Sequence, residues 1–355
     1  MVGRKLLANN PLLNYFALRF HKEPPVLVLH IGTHKTGTST LQSVLTRAAP
    51  RLAERGVSYV AAGRENRIAH HPLAWGLRGR YSTGMEVWEG ARAEINASTA
   101  PIQVLSTEGF WYEDPAEVKR QLAFAGEVRI VAYLRRQDAF LQSLYKQAVS
   151  SGRKTNFQDW LSEFGYRGDY LTVIDRWADA FGRDAIVVRP YERGSSTIDV
   201  VDDFFALVGL DPADTIADIK RGSHNPSPRR ELLYFLRAFN QLNLKINYDK
   251  LFYSVIGRNK AYVRSADLLT HEECVSVLAR YAESNARLAE RYWKGEGPLF
   301  GQPPRRDLPP MWTPEDPEFF QLAVDVLDGV VKLVAPGGPG TGAVRKKRKP
   351  QAPAP

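Results

Sequence analysis

The residues with the clearest chemical potential in this chain are the glycines, threonines and single lysine of the loop 32–40 (GTHKTGTST). An apolar, largely β-branched run at 26–31 comes directly before this loop, and a helix-like stretch at 41–45 follows it. A strand that leads through a short loop of small residues into a helix directs main-chain N–H groups and the positive end of the helix dipole at the loop. The sequence therefore predicts an anion site suited to a phosphate group.

This loop comes close to the pattern G-x-x-x-x-G-K-[ST], which binds the β- and γ-phosphates of ATP. Gly32 and Gly37 have the spacing of that pattern, but Thr38 stands at the lysine position and Lys35 lies three residues earlier. We therefore expect the loop to bind a phosphate other than the β- and γ-phosphates of ATP. A tight strand-to-helix turn without a ligand is the alternative.

A second polar cluster follows another apolar run, residues 128–134, which we interpret as a buried strand. Arg135 ends this run, and Ser143 lies eight residues later in a stretch with helical spacing of apolar residues. A strand end can direct the guanidinium at a phosphate, and two helical turns bring the hydroxyl toward the same group. Taken alone, such a pair is also compatible with a coincidence on the surface.

Together, the two clusters resemble the nucleotide-binding motifs of sulfotransferases that use 3′-phosphoadenosine 5′-phosphosulfate (PAPS). In that family a lysine, a glycine and small hydroxyl residues bind the 5′-phosphosulfate, and an arginine and a serine bind the 3′-phosphate. The resemblance implies these donor-binding residues: Lys35, Thr36, Gly37, Thr38, Ser39, Thr40, Arg135 and Ser143. Arg221 and Gly222 lie where cytosolic members have a late loop over the 3′-phosphate, although the glycine-aspartate-tryptophan continuation is missing. The family also implies that no divalent metal is required.

Sulfuryl transfer to a hydroxyl needs a base for the acceptor proton and positive charge for the leaving phosphate oxygen. Lys35 can supply the charge. Glu108, which follows the predicted strand 102–107, is the candidate general base. The resemblance supports this choice in part, since several carbohydrate-modifying members use a glutamate and some cytosolic members use a histidine. A helix cap or an ion pair is the alternative role for Glu108.

Histidines near these motifs are the competitors of Glu108. His70 and His71 are predicted to contact the acceptor, and either is the next candidate for the base; a surface turn is the alternative for this pair. His34, in the loop, is a further candidate contact of the donor, and His30, on the first predicted strand, is expected in the core.

Strand-like and helix-like stretches alternate along the chain, with predicted strands at 26–31, 57–61, 102–107, 128–134 and 185–189. The intervening segments are long enough for crossover helices, which predicts an α/β fold with a parallel central sheet of about five strands and helices on both faces. The resemblance implies the P-loop-NTPase-like sulfotransferase fold. Because ligands bind beyond the carboxyl ends of such strands, we expect Lys35, Glu108 and Arg135 to meet at one edge of the sheet.

The domain organisation is expected to have four parts. These are an N-terminal extension at 1–24, a sulfotransferase domain at 25–300, a C-terminal extension packed on that domain at 301–334, and a disordered basic tail at 335–355. Within the domain, the apolar spacing at 271–293 predicts one packing helix.

Composition narrows the class of protein. The chain has 355 residues and a formal net charge of +9, of which the run 345–349 supplies five, so that the rest is weakly basic. That balance suits an anionic small-molecule donor, and no nucleic-acid motif is present. The only cysteine, Cys274, excludes an internal disulfide. No apolar run is long enough for a transmembrane segment; we expect a cytoplasmic location, with peripheral membrane contact left open and the oligomeric state not predicted.

The sequence thus predicts a PAPS-dependent sulfotransferase that transfers a sulfuryl group to an acceptor hydroxyl. The candidate base favours a carbohydrate or glycoconjugate acceptor, because it is a glutamate. Two departures from the cytosolic small-molecule motif favour the same acceptor: no proline precedes Lys35 and no tryptophan follows Ser39. A nucleoside or small-molecule kinase of related fold is one alternative. A non-catalytic nucleotide- or glycan-binding protein is the other.

Overall fold

The computed structural model describes residues 25–64, 68–78, 84–191, 199–221, 228–244, 246–263, 267–295, 297–303, 308 and 311–334. The predicted extension at 1–24, Gly222 and the predicted tail at 335–355 lie outside the described residues.

A parallel five-stranded sheet lies at the centre of the described fold. Its strands are β1 (Val26–Gly32), β2 (Val57–Tyr59), β3 (Ile102–Ser106), β4 (Glu127–Arg135) and β5 (Ile186–Tyr191). The spatial order is β2-β3-β1-β4-β5, and each neighbouring pair is parallel. The predicted α/β fold with a parallel sheet of about five strands is confirmed, with small shifts of the strand ends.

Burial explains why these five runs are strands. Every residue of β1 and of β3 is buried, which matches the near-continuous apolar sequence of a strand covered on both faces. The central position of β1, between β3 and β4, brings the carboxyl ends of these three strands together. His30 lies opposite Ser106 on β3, and Gly32 lies opposite Ala132 on β4. The two neighbours of β1 follow it in the chain by separate crossover connections. In open parallel sheets, connections of this kind leave a crevice at the carboxyl ends of the strands.

The α-helices of the described residues are α1 (Thr38–Glu54), α2 (His71–Leu77), α3 (Gly84–Ala97), α4 (Pro115–Gln121), α5 (Gln137–Ser150), α6 (Phe157–Phe164), α7 (Tyr170–Phe181), α8 (Val200–Leu207), α9 (Pro212–Ile216), α10 (Arg230–Gln241), α11 (Tyr248–Ile256), α12 (His271–Ala279), α13 (Ala282–Tyr292) and α14 (Pro317–Val334). Short 3₁₀ helices occur at Glu108–Tyr112, Gly165–Gly168, Arg183–Ala185 and Lys260–Val263.

Helices cover both faces of the sheet, as predicted. On one face, Leu45 of α1 and Phe204 of α8 belong to one buried cluster with Val28 of β1 and Val131 of β4. On the other face, α7 contacts β4 and β5 and also packs against α4. Because alternate residues of a strand point to opposite faces, the apolar runs of the strands supply both layers.

The contacts divide the chain into two compact units. The first contains the described residues between 25 and 140, between 166 and 221, and between 275 and 303; the second contains those between 141 and 165, between 228 and 274, and from 308 onward. The sheet lies in the first unit. In the second, α14 packs against α10 and α11. The predicted domain boundaries stay predictions.

The helix predicted over 271–293 is two helices, α12 and α13, with Arg280 and Tyr281 between them. Tyr281 packs so closely on Gly168 that a Cβ atom at residue 168 would lie 2.7 Å from its Cζ. Apolar spacing alone does not reveal this break, because the periodicity on its two sides is similar.

Among the described residues, no helix combines the length and apolar character needed to cross a membrane.

Candidate active site

The predicted anion loop joins β1 to α1, and two glycines make its turns. Gly32 has φ +106°, and a Cβ atom there would lie 2.9 Å from the Cβ of Glu108. Gly37 has φ +78°, and a Cβ atom there would lie 2.9 Å from Cγ1 of Val200. Both positions therefore need a residue without a side chain. The first of them also shows that Glu108 lies directly against the start of the loop.

Helix α1 presents an uncapped N-terminus to this loop. Gly37 is its N-cap, none of the described side chains caps it, and its first turn contains no acidic residue. The helix is 17 residues long, and the Thr40 amide of its first turn donates to the main-chain oxygen of Gly37 over 3.0 Å. The amides of Thr38 and Ser39, together with the helix dipole, therefore face the position of an anion. The geometry thus supplies the anion site that the sequence predicts.

The hydroxyl residues of the loop differ in what they can offer a ligand. Thr36 and Thr38 are buried, whereas Ser39 is exposed. The Thr36 hydroxyl donates to the main-chain oxygen of Thr33 over 2.7 Å, and the Thr33 amide donates to the main-chain oxygen of Tyr133 over 2.8 Å. These bonds hold the loop in shape, so the Thr36 side chain stabilises the loop.

Lys35 and Arg135 lie together at this loop, as predicted. Lys35 has φ +66°, and Arg135 Nη1 donates to the Lys35 main-chain oxygen over 3.4 Å. Burial lowers the pKa of Lys35 below its ordinary value, the charge of Arg135 lowers it further, and Glu108 opposes both effects. Two cations beside an uncapped helix N-terminus are an arrangement that an anion would stabilise.

Ser143 and Arg221, the predicted donor residues outside this loop and its neighbour Arg135, differ in what the structure describes. Ser143 lies on α5 in the second unit, and its contact with the donor stays a prediction. Arg221 is paired with carboxylates: Nη2 with Asp202, and Nη1 with Asp199 at 2.9 Å. The hydrogen bonds that Arg221 donates to Asp202 raise the pKa of Arg221. This guanidinium therefore binds protein carboxylates at the start of α8.

Glu108 opens the 3₁₀ helix that follows β3. Its Oε2 accepts a hydrogen bond from Nε2 of Gln42 over 3.0 Å. Its Oε1 lies 3.9 Å from Nδ1 of His34 and 4.0 Å from Nε2 of His71. One carboxylate oxygen is thus held by an amide, and two imidazoles converge on the other.

Ionisation of this cluster follows from its surroundings. Burial raises the pKa of Glu108, but His71, His34, a main-chain N–H and Gln42 outweigh it, so that the pKa lies below its ordinary value. Burial also lowers the pKa of His34. Glu108 raises it, whereas the charges of Lys35, His71 and Arg167 lower it further. The lowered pKa of Glu108 favours the ionised carboxylate at neutral pH, and burial favours the neutral form of His34.

The two histidines predicted to contact an acceptor have different environments. His70 is fully buried; its Nε2 lies 2.9 Å from the main-chain oxygen of Val60, and its Nδ1 accepts from the Ser106 amide over 3.1 Å. Burial lowers the pKa of His70 to about 3. Both ring nitrogens thus face the main chain, which leaves none for an acceptor and corrects that part of the prediction. His71 is the member of the pair that reaches Glu108.

His71 and His34 are each held against an aromatic ring. The His71 ring stacks on Trp75 with centroids 5.3 Å apart, and the His34 ring stacks on Tyr112 at 5.4 Å. Nδ1 of His71 lies 2.6 Å from the Thr107 hydroxyl oxygen. His30 is buried, as expected, with Nδ1 2.8 Å from the Ser106 hydroxyl.

Sequence reasoning did not single out Gln42, Thr107, Trp75 or Tyr112. Of these, Gln42 carried a usable signal, because a glutamine beside Leu41 interrupts the buried apolar face of α1. The others become visible only when the loop, α2 and the 3₁₀ helix are brought together.

Comparisons with known proteins add little to this geometry. No protein-family model matches the chain. An uncharacterized protein of Archaeoglobus fulgidus is 30% identical over 174 residues, which is 46% of this chain and 46% of that protein. The match therefore spans about half the length of the curated relative. A crystal structure of a sulfotransferase from Alicyclobacillus acidocaldarius is 18% identical and covers 68% of this chain and 100% of that one, with a TM-score of 0.37.

Proposed function

We propose that this chain is a sulfotransferase that transfers a sulfuryl group from PAPS to an acceptor hydroxyl. One observation carries the proposal: Lys35 and Arg135 lie at an uncapped helix N-terminus, and an ionised glutamate lies against the same loop. The cations and the helix dipole suit the charges of the donor. The carboxylate suits an acceptor that must lose a proton.

The donor is a co-substrate, and the chain offers groups for both of its phosphates. In the proposed complex the first-turn N–H groups of α1, together with Lys35, bind the 5′-phosphosulfate. Arg135 binds the 3′-phosphate, with Ser143 as a second contact. The lysine precedes Gly37 instead of following it, which is unlike the kinase loop and favours a sulfuryl donor over ATP. We propose that no divalent metal takes part.

The proposed step is an in-line displacement at sulfur. The acceptor oxygen forms the new bond to sulfur while the bond from sulfur to the 5′-phosphate oxygen breaks. The acceptor proton passes to Oε1 of Glu108, and the leaving oxygen gains negative charge. Lys35 and the N-terminus of α1 stabilise that charge. The products are the sulfated acceptor and adenosine 3′,5′-bisphosphate, and no other reactant is needed.

His71 orients the carboxylate in this mechanism. The Thr107 hydroxyl oxygen accepts a hydrogen bond from the Gly109 amide over 3.0 Å, so its own hydrogen is available to Nδ1 of His71. That arrangement puts the imidazole proton on Nε2, the nitrogen 4.0 Å from Oε1 of Glu108. An N–H at Nε2 favours negative charge on Oε1, so His71 helps to keep Glu108 ionised before the acceptor proton arrives.

We further propose a carbohydrate or glycoconjugate acceptor. Trp75 and Tyr112 flank the two imidazoles beside Glu108, and Tyr112 is 41% exposed. Flat aromatic surfaces of this kind bury the apolar C–H face of a sugar ring, while the ring hydroxyls remain free for hydrogen bonds. A cytoplasmic location is part of the proposal, and the single cysteine is its support.

Ligand-induced stabilisation tests the donor half of the proposal. Adenosine 3′,5′-bisphosphate should raise the melting temperature of the full chain in the presence of EDTA, because two phosphates bind two separate cationic groups. AMP, which lacks the 3′-phosphate, should stabilise it much less. Equal stabilisation by the two nucleotides, or a strict requirement for magnesium, would contradict the proposal and favour the kinase.

Turnover separates the enzyme from a non-catalytic binding protein. Incubation with PAPS labelled in the sulfuryl group and a panel of sugars, lipids and phenols should transfer label to a sugar hydroxyl. Stabilisation by the bisphosphate without transfer to any member of the panel would favour the binding protein. Transfer to phenols alone would retain the sulfotransferase and reject the carbohydrate acceptor.

A further inference from the structure

Arg167, in the first unit, belongs to the 3₁₀ helix Gly165–Gly168 and has no role in the proposed transfer. Its Cζ atom lies 5.9 Å from the centroid of the Tyr112 ring. The same ring stacks on His34 with centroids 5.4 Å apart, and Nδ1 of His34 lies 3.9 Å from Oε1 of Glu108. Contacts thus lead from the guanidinium of Arg167 through two rings to the candidate base.

Hydrogen bonds fix the backbone that follows Arg167. The main-chain oxygen of Gly168 accepts from Nε2 of Gln137 over 3.2 Å. The Tyr170 hydroxyl donates to the main-chain oxygen of Arg135 over 2.7 Å. Both partners lie where β4 ends and α5 begins, so this segment is held at the edge of the sheet where the donor is proposed to bind. A cation on such a support can select a ligand by position.

The charge of Arg167 acts on the side of the site that is proposed for the acceptor. Burial lowers the pKa of His34, and the charge of Arg167 lowers it further. Burial raises the pKa of Tyr112, and the charge of Arg167 opposes that effect. The pKa of Lys35, in the anion loop, responds to burial and to two other charged residues. The electrostatics therefore agree with the contacts in separating Arg167 from the donor lysine.

A guanidinium beside an exposed aromatic ring favours one kind of ligand. Tyr112 is 41% exposed and Tyr166 is 68% exposed, so a ligand can reach this part of the surface. Arginine presents its N–H groups in a planar fork that matches two oxygens of a carboxylate or a sulfate. A sugar ring that packs on Tyr112 would bring the groups at its edge toward this fork. An anionic sugar is repelled by the carboxylate of Glu108, and a cation at this position offsets that repulsion.

We infer that Arg167 binds an anionic group of the acceptor, and that the acceptor is therefore an acidic sugar with a carboxylate or a sulfate. The inference rests on the proposed function, because it specifies the acceptor of that reaction. Arg167 is then a specificity residue. It selects among sugars and takes no part in proton transfer or in binding the donor.

Binding of small glycosides to the full chain tests the inference without turnover. Ligand-observed NMR at low salt compares two anionic sugars, methyl β-D-glucuronide and glucose 6-sulfate, with the neutral methyl β-D-glucoside. At least one anionic sugar should bind about tenfold more tightly than the neutral one, the scale of a charge-assisted bidentate contact reduced by partial exposure to solvent. The two anionic sugars distinguish a carboxylate ligand from a sulfate ligand.

Variants of Arg167 assign the preference to this residue. Arg167→Gln should abolish most of the preference for the anionic sugar, and Arg167→Lys should retain part of it, because the charge remains and the planar fork is lost. Calorimetry with adenosine 3′,5′-bisphosphate should give the same affinity for the parent and for Arg167→Gln. Arg120→Gln is the matched control, since it removes the same charge from α4, where Arg120 pairs with Glu117 of its own helix. The control should bind the sugars like the parent, and circular dichroism verifies that the variants are folded.

The remaining outcomes are decisive as well. A parent chain that binds none of the sugars, or binds anionic and neutral sugars equally, rejects the inference. So does a preference that survives in folded Arg167→Gln or is lost equally in Arg120→Gln. Weaker binding of the bisphosphate by Arg167→Gln also rejects it, because the residue would then serve the donor. Failure of the proposed function looks different: an anionic sugar that binds through Arg167 but receives no sulfuryl group from PAPS supports the anion site and rejects the sulfotransferase.

Discussion

Replacing Glu108 with glutamine removes the proposed base with little change in shape. In the parent, Oε2 accepts from Gln42 and Oε1 faces two imidazole nitrogens. In Glu108→Gln, the amide oxygen can keep the bond from Gln42, and the NH₂ group then takes the position of Oε1. There it faces the two imidazoles, and the hydrogen bond from Gln42 to the side chain at residue 108 is retained. The change removes the capacity to accept a proton.

The size of the effect follows from the neighbours of Oε1. Losing a general base ordinarily slows turnover about a hundredfold or more, which corresponds to about 2.7 kcal/mol in the activation free energy. Nδ1 of His34 lies 3.9 Å from the same oxygen and can take part of the proton transfer. We therefore expect a loss near that lower limit. Affinity for adenosine 3′,5′-bisphosphate should stay nearly unchanged, because this product carries no acceptor proton.

Two measurements on each variant separate chemistry from binding. Transfer from labelled PAPS at saturating donor gives turnover, and calorimetry with the bisphosphate gives donor affinity. Glu113→Gln is the matched control, since Glu113 is also a buried carboxylate of this segment but pairs with Arg78 at 2.6 Å. That control should lose stability and keep turnover per folded molecule.

The pH profile tells which group is the base. Glu108 acts in its ionised form, so the rate should fall as the pH drops through its pKa, which lies below the ordinary value of 4.5. The profile of the parent should thus be flat from neutral pH to about pH 5. A decline near pH 6.5, where an ordinary imidazole titrates, would assign the base to a histidine. Near-normal turnover of Glu108→Gln would refute the reasoning, and His71 would be tested next.

Two further predictions concern the donor site. Arg135→Ala should weaken binding of the bisphosphate by about 2–4 kcal/mol, because it removes the proposed charged partner of a phosphate. Ser143→Ala should weaken it less, because it deletes one neutral hydrogen bond. Calorimetry in which both variants bind like the parent would remove Arg135 and Ser143 from the site. Lys35→Ala should reduce both turnover and donor affinity, because in the proposed complex the ammonium contacts the phosphosulfate before and during transfer. Unchanged affinity with unchanged turnover would show that this lysine does not contact the donor.

The strands and the anion loop were predictable because their signals are local. Five buried runs alternate with longer polar stretches, and burial on both faces produces such runs directly. The spacing of Gly32 and Gly37 marks two turns with positive φ, which the structure has. The position of Arg135 beside the loop followed from one general rule, that the ends of neighbouring parallel strands meet at one edge of the sheet.

The neighbours of Glu108 were not predictable, since they come from separate parts of the chain. Gln42 lies on α1, His34 in the loop and His71 at the start of α2, and no sequence interval relates them. His70 was misjudged for the same reason. A histidine pair before a proline indicates a turn, but the His70 amide donates to the Ser106 oxygen over 3.0 Å and draws the ring into the core.

The start of the anion loop and the candidate base are positioned by one contact. A Cβ atom at residue 32 would lie 2.9 Å from the Cβ of Glu108, so the glycine that ends β1 is also what lets the carboxylate approach the loop. The Thr107 amide donates to the His30 main-chain oxygen over 3.0 Å and ties the end of β3 to β1 at the same point. The groups that we propose for the leaving phosphate and for the acceptor proton thus lie at the ends of neighbouring strands of one sheet. If the proposed transfer relies on charge and position, this preorganisation is what it requires of the protein.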